Sequence, residues 1–199
     1  MQVRVILTTT MKPYLSAGCL LFVALPSLAL ALTPRRDRRI AAAYAAAIMV
    51  AGFGLVYLRE SIGTGGILWL VTVVVASDVA GYFAGRSLGG PKFWPAVSPK
   101  KTWSGTIAGW LGAVAVGYGF WAAGFGAWHL LWASPFVAFA GQMGDIAESA
   151  IKRRTGVKDS SNLIPGHGGL LDRFDALAFA AITTAALHVL VPLFPLVKG

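Results

Sequence analysis

Long apolar runs, several of them about twenty residues in length, dominate this sequence and limit what it can fold into. One of them, residues 64–85, contains Asp78 as its single charged residue. A helix of about 20 apolar residues is what is needed to cross roughly 30 Å of hydrocarbon. Charged residues make up only 13% of the chain, whereas a soluble domain has about 25%. The sequence therefore predicts an all-α, polytopic helical bundle in a membrane.

Six apolar runs predict about six membrane-spanning helices, which we divide into an N-terminal region, residues 1–63, and a catalytic region, residues 64–199. The predicted spans are 14–33, 40–58, 64–85, 105–124, 127–148 and 174–196. Lys and Arg are concentrated in the connections near residues 35–39, 92–101 and 152–158, whereas those at 59–63 and 124–126 are short and poor in them. Because cytoplasmic loops carry an excess of basic residues, the pattern predicts both termini outside and two long polar loops, 86–104 and 149–173, inside.

The first apolar run has a second interpretation as a signal peptide. Residues 15–31 end in Ala29-Leu30-Ala31, which resembles a site for signal peptidase. The run is long, however, and the basic segment Arg35–Arg39 follows at once and would resist export. These two features favour a retained span.

The net charge of +9 raises the question of nucleic-acid binding. The basic residues form short blocks between apolar runs and leave no continuous basic face, so we expect no nucleic-acid partner. Cys19 is the single cysteine, which excludes an intrachain disulfide and a cysteine-based metal cluster.

Most of the acidic residues lie at the predicted inner ends of spans. Of eight in the chain, the five in question are Asp78, Asp145, Glu148, Asp172 and Asp175. A carboxylate inside a membrane is costly unless it is paired or solvated, so each is a functional candidate. A structural ion pair for Asp78 and a helix-capping role for Asp172 remain open. Carboxylates from three helices on one side also suit magnesium, which takes one or two protein carboxylates together with phosphate oxygens.

Two polar segments have the composition of phosphate-binding sites. Residues 98–105, Ser-Pro-Lys-Lys-Thr-Trp-Ser-Gly, place lysines and hydroxyls at the start of a predicted helix, where backbone N–H groups favour anions. A solvated basic loop is the alternative. Residues 165–169, Pro-Gly-His-Gly-Gly, form a turn that lets backbone amides approach a ligand. His167 could serve there as a hydrogen-bond donor, a base or a turn-stabilising residue. Polyphosphate with a divalent metal is the substrate class that uses all these groups together.

Residues 149–175 carry the most specific pattern in the chain. In order they contain Ser-x-Ile-Lys-Arg, Lys-Asp, Ile-Pro-x-His-Gly-Gly-Leu and Asp-Arg-Phe-Asp. This pattern resembles the signature of the phosphatidate cytidylyltransferases, the CDP-diacylglycerol synthases. Residues 77–86 and 98–103 also agree with that family, so the resemblance covers about residues 64–185.

The resemblance implies that CTP and phosphatidic acid react to give CDP-diacylglycerol and pyrophosphate, with magnesium required. The shortness of the chain favours a bacterial inner membrane over an organelle membrane, the basic loops predict a site that faces the cytoplasm, and a homodimer is left open. The residues expected to bind metal are Asp78, Asp145 and Asp172. Those expected to act in catalysis are Asp145, Asp172, Lys152, His167 and Arg173. Those expected to bind substrate are Asp78, Ser98, Lys100, Lys101, Thr102, Arg153, Lys158, Asp159, Gly168 and Gly169.

The sequence departs from the family in three respects. Many members have an acidic residue where Ser104 stands and a threonine where Val79 stands, and many have additional N-terminal spans. Oligomer geometry and lipid choice are therefore left open. The nearest alternative enzyme is a CTP-dependent lipid kinase of the polyprenol or phytol type, which would release CDP. A small transporter is disfavoured, because the polar positions lie towards one surface and no internal repeat is present.

Overall fold

The computed structural model describes residue 28 and residues 38–155 and 171–194. In chain order the elements are α1 (Arg38–Ser87), β1 (Lys92–Trp94), β2 (Ser98–Thr102), α2 (Trp103–Ala122), α3 (Leu130–Thr155) and α4 (Leu171–Leu190). The chain divides into two compact units, Met1–Phe53 and Gly54–Gly199. The second unit holds most of α1 and all the later elements. The predicted start of a catalytic region at residue 64 stays a prediction.

Helix α1 is broken at one residue, Gly63, whose φ of 67° and ψ of −168° are open only to glycine. The sequence predicted two helices here, separated by a connection at residues 59–63. The helices are confirmed, but the connection is corrected to a one-residue break. Residues 59–62 contain neither glycine nor proline, so the helix continues up to Gly63. Among the described residues, Ala45–Ser87 is the helical segment long and apolar enough to cross a membrane.

The core of the second unit is built from large apolar side chains of α1 and α3 with small side chains of α4. Trp69, Leu130 and Val137 are fully buried, and Ala180 packs in the same cluster. The Trp69 indole N–H donates to Ser134 Oγ at 3.1 Å, which satisfies its buried polar group. These contacts fix α1 against α3.

Helices α1 and α2 approach each other through glycines. A methyl group added at Gly105 would lie 2.6 Å from the carbonyl oxygen of Gly81, and one added at Gly85 would lie 3.0 Å from Thr102 Oγ1. The sequence predicted close packing at the Gly105 and Gly109 pair, and the structure confirms it.

The predicted inner loop at residues 86–104 contains a β-hairpin, which corrects the all-α prediction. β1 and β2 pair antiparallel, with Lys92 opposite Thr102 and Trp94 opposite Ser98. Two glycines with positive φ, Gly89 and Gly90, end the helical run before β1. The Phe93 and Trp103 rings then pack 4.7 Å apart and hold the hairpin to α2.

The second predicted inner loop, residues 149–173, begins as helix. α3 continues to Thr155 because residues 149–155 contain no glycine or proline to end it. Residues 156–170 of that loop lie outside the described part of the chain.

Several contacts place the hairpin and three helix ends on the same side of the second unit. The Trp103 N–H donates to Pro91 O at 3.0 Å, and Arg153 Nη1 donates to Ala96 O at 2.9 Å. At the opposite end, the Ala127 N–H donates to Leu193 O at 3.0 Å. The end of α1, the start of α2 and the end of α3 therefore meet at one end, which we call the hairpin end.

Candidate active site

A cleft of about 410 Å³ opens at the hairpin end between α1, β2, α2 and α3. Its walls are mostly small or polar residues, and four of them carry a charge. The lining residues are Ser77, Asp78, Gly81, Tyr82, Gly85, Arg86, Lys100, Lys101, Thr102, Gly105, Thr106 and Gln142. Four of the predicted site residues, Asp78, Lys100, Lys101 and Thr102, are thus brought together.

Thr102 caps the start of α2 and so shapes the cleft wall. Its backbone is extended, and its Oγ1 accepts from the Gly105 N–H at 3.3 Å. Thr106 Oγ1 donates back to Thr102 O at 3.1 Å, and Ser104 Oγ donates to Gly89 O. The start of a 20-residue helix, where the helix dipole is positive, therefore faces the cleft beside two lysines. This arrangement has chemistry that suits an anion, and the anion site stays a prediction.

Lys101 joins β2 to α3 through two hydrogen bonds. Its Nζ donates to Asp145 Oδ2 at 2.8 Å and to the carbonyl oxygen of Gln142 at 3.0 Å. The Lys101 and Asp145 side chains are 26% and 30% exposed, so the ion pair stands at the cleft boundary. Lys101 and Asp145, which the sequence predicts to act on the same substrate, are therefore in direct contact.

Sequence reasoning missed Gln142, which forms part of the cleft wall and is 7% exposed. Its Nε2 donates to Ser77 Oγ at 3.1 Å, next to Asp78. Its Oε1 is buried and has no hydrogen-bond partner among the described residues. The available signal was spacing, because Gln142 lies three residues before Asp145 and so shares its helix face.

Tyr82 and Arg86 also line the cleft, although neither was predicted to be a site residue. Arg86 Nη1 donates to the Tyr82 hydroxyl at 2.9 Å, one helical turn away on α1. A guanidinium in this place adds a third cation to the wall that already holds Lys100 and Lys101.

Other predicted residues lie elsewhere or outside the described part of the chain. Ser98 is buried at the start of β2, and Arg153 is exposed and binds the hairpin turn; neither is among the residues lining the cleft. Lys152 lies on α3, and Asp172 and Arg173 lie in the first turn of α4, but their side chains are not described. The remaining ones, outside the described residues, are Lys158, Asp159, His167, Gly168 and Gly169.

The backbones of α3 and α4 place Asp172 at the level of Asp145. A methyl group added at Gly141 would lie 3.3 Å from Ala176 O, and at the other end Ala127 contacts Leu193. The two helices are therefore antiparallel. Asp145 lies one turn beyond Gly141, and Asp172 lies one turn before Ala176, towards the hairpin end.

The donor set suits a magnesium ion that arrives with a nucleotide. Among the described residues there is no group of three His, Cys, Asp or Glu side chains that could hold a metal alone. Asp78 in the cleft and Asp145 beside Lys101 supply two carboxylate groups. Magnesium usually takes one or two protein carboxylates and completes its shell with phosphate oxygens and water. The residues therefore fit this ion.

The fold and cleft define a class: an apolar, mostly helical protein with a cleft at one end that is lined by three cations and a carboxylate. The sequence model of the cytidylyltransferase family matches residues 2–191. The chain belongs to the cytidylyltransferase family.

Curated relatives agree with this assignment. A phosphatidate cytidylyltransferase of Brucella suis is 45% identical over 146 residues, which are 69% of this chain and 53% of the relative. One from Helicobacter pylori is 41% identical over 140 residues, 69% of this chain and 51% of the relative. One from Bacillus subtilis is 40% identical over 116 residues, 57% and 43% of the two chains. The chain spans about half the length of the curated relatives it matches.

Proposed function

We propose that this chain is a phosphatidate cytidylyltransferase, which makes CDP-diacylglycerol and pyrophosphate from CTP and phosphatidic acid. The observation that carries the proposal is the β2–α2 junction. It presents Lys100, Lys101 and a helix N-terminus to the same cleft as Asp78, with Asp145 bound to Lys101. The proposed substrates are inferred from the names of the relatives. The charged groups of the cleft suit a triphosphate.

In the proposed reaction an oxygen of the lipid phosphate attacks the α-phosphorus of CTP, and pyrophosphate leaves. Attacking and leaving groups are both anionic, so the protein must neutralise charge and hold the groups in line. Lys100 and Lys101, which line the cleft, would bind phosphate oxygens, and the positive end of the α2 dipole would favour the negative charge. A phosphate monoester is already ionised at neutral pH, so no strong base is needed. His167 is accordingly proposed as a donor to phosphate.

Magnesium is the proposed cofactor, held by Asp145, Asp172 and Asp78. When bound, it would neutralise the phosphate charge that the lysines leave uncompensated. Asp145 would then be shared between the ion and Lys101. The other proposed site residues, Lys152, Arg153, Lys158, Asp159, Gly168, Gly169 and Arg173, would complete the polar pocket.

The proposal includes six membrane spans and a site that faces the cytoplasm, because CTP is soluble and phosphatidic acid stays in lipid. Exposed side chains on the outer faces of α1 and α2 support it. Leu68, Val75 and Leu111 are more than half exposed, which water would disfavour and lipid would not. A bacterial inner membrane is the proposed location, and a homodimer remains a prediction.

The test is a product assay with purified chain in detergent–lipid micelles, labelled CTP, phosphatidic acid and magnesium. We expect CDP-diacylglycerol and pyrophosphate in equal amounts, with activity lost on chelation and restored by magnesium. A folded chain that forms neither product, or one that phosphorylates a lipid alcohol and releases CDP, would overturn the proposal. Full activity of Asp145→Asn would overturn the assigned site.

A further inference from the structure

The β-hairpin presents apolar and basic side chains on its outer surface. Leu88 before β1 is 76% exposed, and Trp94 at the end of β1 is 49% exposed. Lys92, on the same strand as Trp94, is also exposed. If this connection faced only water, the exposure of a leucine and a tryptophan together would be unfavourable.

The base of the hairpin is held at the level of the first residue of α2. The Phe93 and Trp103 rings pack 4.7 Å apart, and the Trp103 N–H donates to Pro91 O at 3.0 Å. Ser104 Oγ also donates to Gly89 O. These contacts hold the base of the hairpin, where Lys92 pairs with Thr102, against the start of α2, and Trp94 lies two residues further along β1.

The length of α2 indicates the depth of Trp103 in the proposed membrane. Trp103 and Trp121 stand eighteen residues apart near its two ends, and each is 42% exposed. Eighteen residues of helix rise about 27 Å, close to the roughly 30 Å thickness of a bilayer core. Between them the exposed side chains of α2 include Ile107 and Leu111. Tryptophans prefer the two membrane interfaces, so this spacing indicates where those interfaces lie.

The charge of this end matches an anionic surface. No acidic residue occurs between Asp78 and Asp145. Within that stretch Lys92 is exposed on the hairpin, and Arg86 and Lys100 are exposed where they line the cleft. Basic residues beside interfacial aromatics are attracted to anionic lipid headgroups.

We propose that the hairpin Lys92–Thr102, with Leu88, is inserted into the headgroup layer of an anionic membrane leaflet. This rests on the proposed placement of the chain in a membrane. Trp94 and Leu88 lie at the boundary of headgroups and acyl chains, and Lys92 binds lipid phosphates. Because β2 also forms a wall of the cleft, Lys101 then stands at headgroup depth. A phosphatidic acid can therefore reach the cleft without leaving its leaflet.

The proposal is tested by measuring immersion depth at single positions. Cys19 is the single cysteine, so a Cys19→Ser chain accepts one nitroxide label wherever a cysteine is introduced. Labels are attached through Trp94→Cys and Leu88→Cys in vesicles of phosphatidylcholine with phosphatidylglycerol. Collision with oxygen, which is concentrated in lipid, is compared with collision with a water-soluble nickel complex. The Leu111→Cys label at the middle of α2 serves as the deep reference.

We expect labels at 88 and 94 to lie about 5–10 Å below the headgroup surface, shallower than the label at 111. Lys92→Gln should raise nickel collision at position 94 in anionic vesicles but not in pure phosphatidylcholine. A label at 94 that is freely accessible to nickel would overturn the proposal, as would one shielded from both reagents by a protein partner. The measurement needs no turnover, so failure of the hairpin proposal is distinguishable from failure of the proposed enzymatic activity.

Discussion

Lys101 binds two acceptors on one turn of α3, the carboxylate of Asp145 and the carbonyl oxygen of Gln142. Both charged side chains are about a quarter to a third exposed, and ion pairs of this kind contribute roughly 0–1 kcal/mol to stability. So small a contribution does not explain a lysine at this place. Its position in a cleft beside a helix N-terminus agrees with the proposed role in binding an anion.

Lys101→Met is therefore expected to lower the rate of CDP-diacylglycerol formation far more than it lowers stability. Loss of one preorganised charge from such a site costs about 100-fold or more in turnover. The thermal unfolding midpoint should shift by no more than the value of the ion pair. Arg59→Gln, which removes an exposed charge of α1 away from the cleft, is the control and should leave the rate within about twofold. Equal losses of activity in the two variants would contradict the assigned role.

The bond between Gln142 and Ser77 links α3 to α1 directly beside Asp78. A buried neutral hydrogen bond contributes about 0.5–1.5 kcal/mol. Ser77→Ala, Gln142→Ala and the double variant, unfolded by denaturant in detergent, should therefore show a coupling energy of that size. Strictly additive effects would mean that the two side chains are independent of each other.

At the residue scale, the sequence indicated the charged members of the cleft more readily than the neutral ones. Asp78 and Lys101 are conspicuous because charge is rare in so apolar a chain. Gln142 is neutral and lies in a helix, so its composition gives no signal. Its importance depends on Ser77, which is 65 residues away in sequence.

At the scale of elements, the approach of α1 to α2 determines the shape of the cleft. Gly81 and Gly85 on α1 face Gly105 on α2 at distances that leave no room for a side chain. The same glycines line the cleft. Any change that separates the two helices must therefore widen the site.

Gly105→Ala is expected to destabilise the chain by about 1–3 kcal/mol, the usual cost of overpacking, and to lower activity with it. The added methyl group would meet a backbone oxygen at 2.6 Å, which cannot rotate away. Gly119→Ala on the same helix is the matched control, because nothing lies within 4 Å of its added methyl group. Thermal unfolding and turnover of the two variants should separate them clearly. Similar behaviour would show that helix propensity, rather than contact, governs both sites.

The helices could be predicted from the sequence, but the hairpin could not. Long apolar runs are expected of helices that cross a bilayer. The positions of these runs agree with the helices that follow Gly63. A strand of three residues gives no periodic signal, and β1 is held by the tertiary contact between Phe93 and Trp103. The sequence predicted a loop at residues 59–63 instead of a single break at Gly63, because Arg59 and Glu60 resemble a polar connection.

At the scale of the whole second unit, the charged residues of the site are concentrated at one end of the helices. The hairpin, the start of α2 and the end of α3 carry the cations and carboxylates of the site. Side chains exposed at the opposite end are large and apolar, among them Phe125 and Trp128. α3 has 26 residues and so a length of about 39 Å, longer than a bilayer core. In the proposed membrane placement, its last turns extend beyond the hydrocarbon.

This arrangement predicts that the end of α3 and the connection between α2 and α3 are labelled from opposite sides of a membrane. Single cysteines are introduced by Arg153→Cys and Phe125→Cys in the Cys19→Ser chain, since both side chains are exposed. A membrane-impermeant maleimide should label position 125 in spheroplasts and position 153 in inverted vesicles. Leu111→Cys, at the middle of α2, should react from neither side until detergent is added. Labelling of both ends from the same side would place the cleft and the apolar end on one face, and a site at the cytoplasmic surface would be untenable.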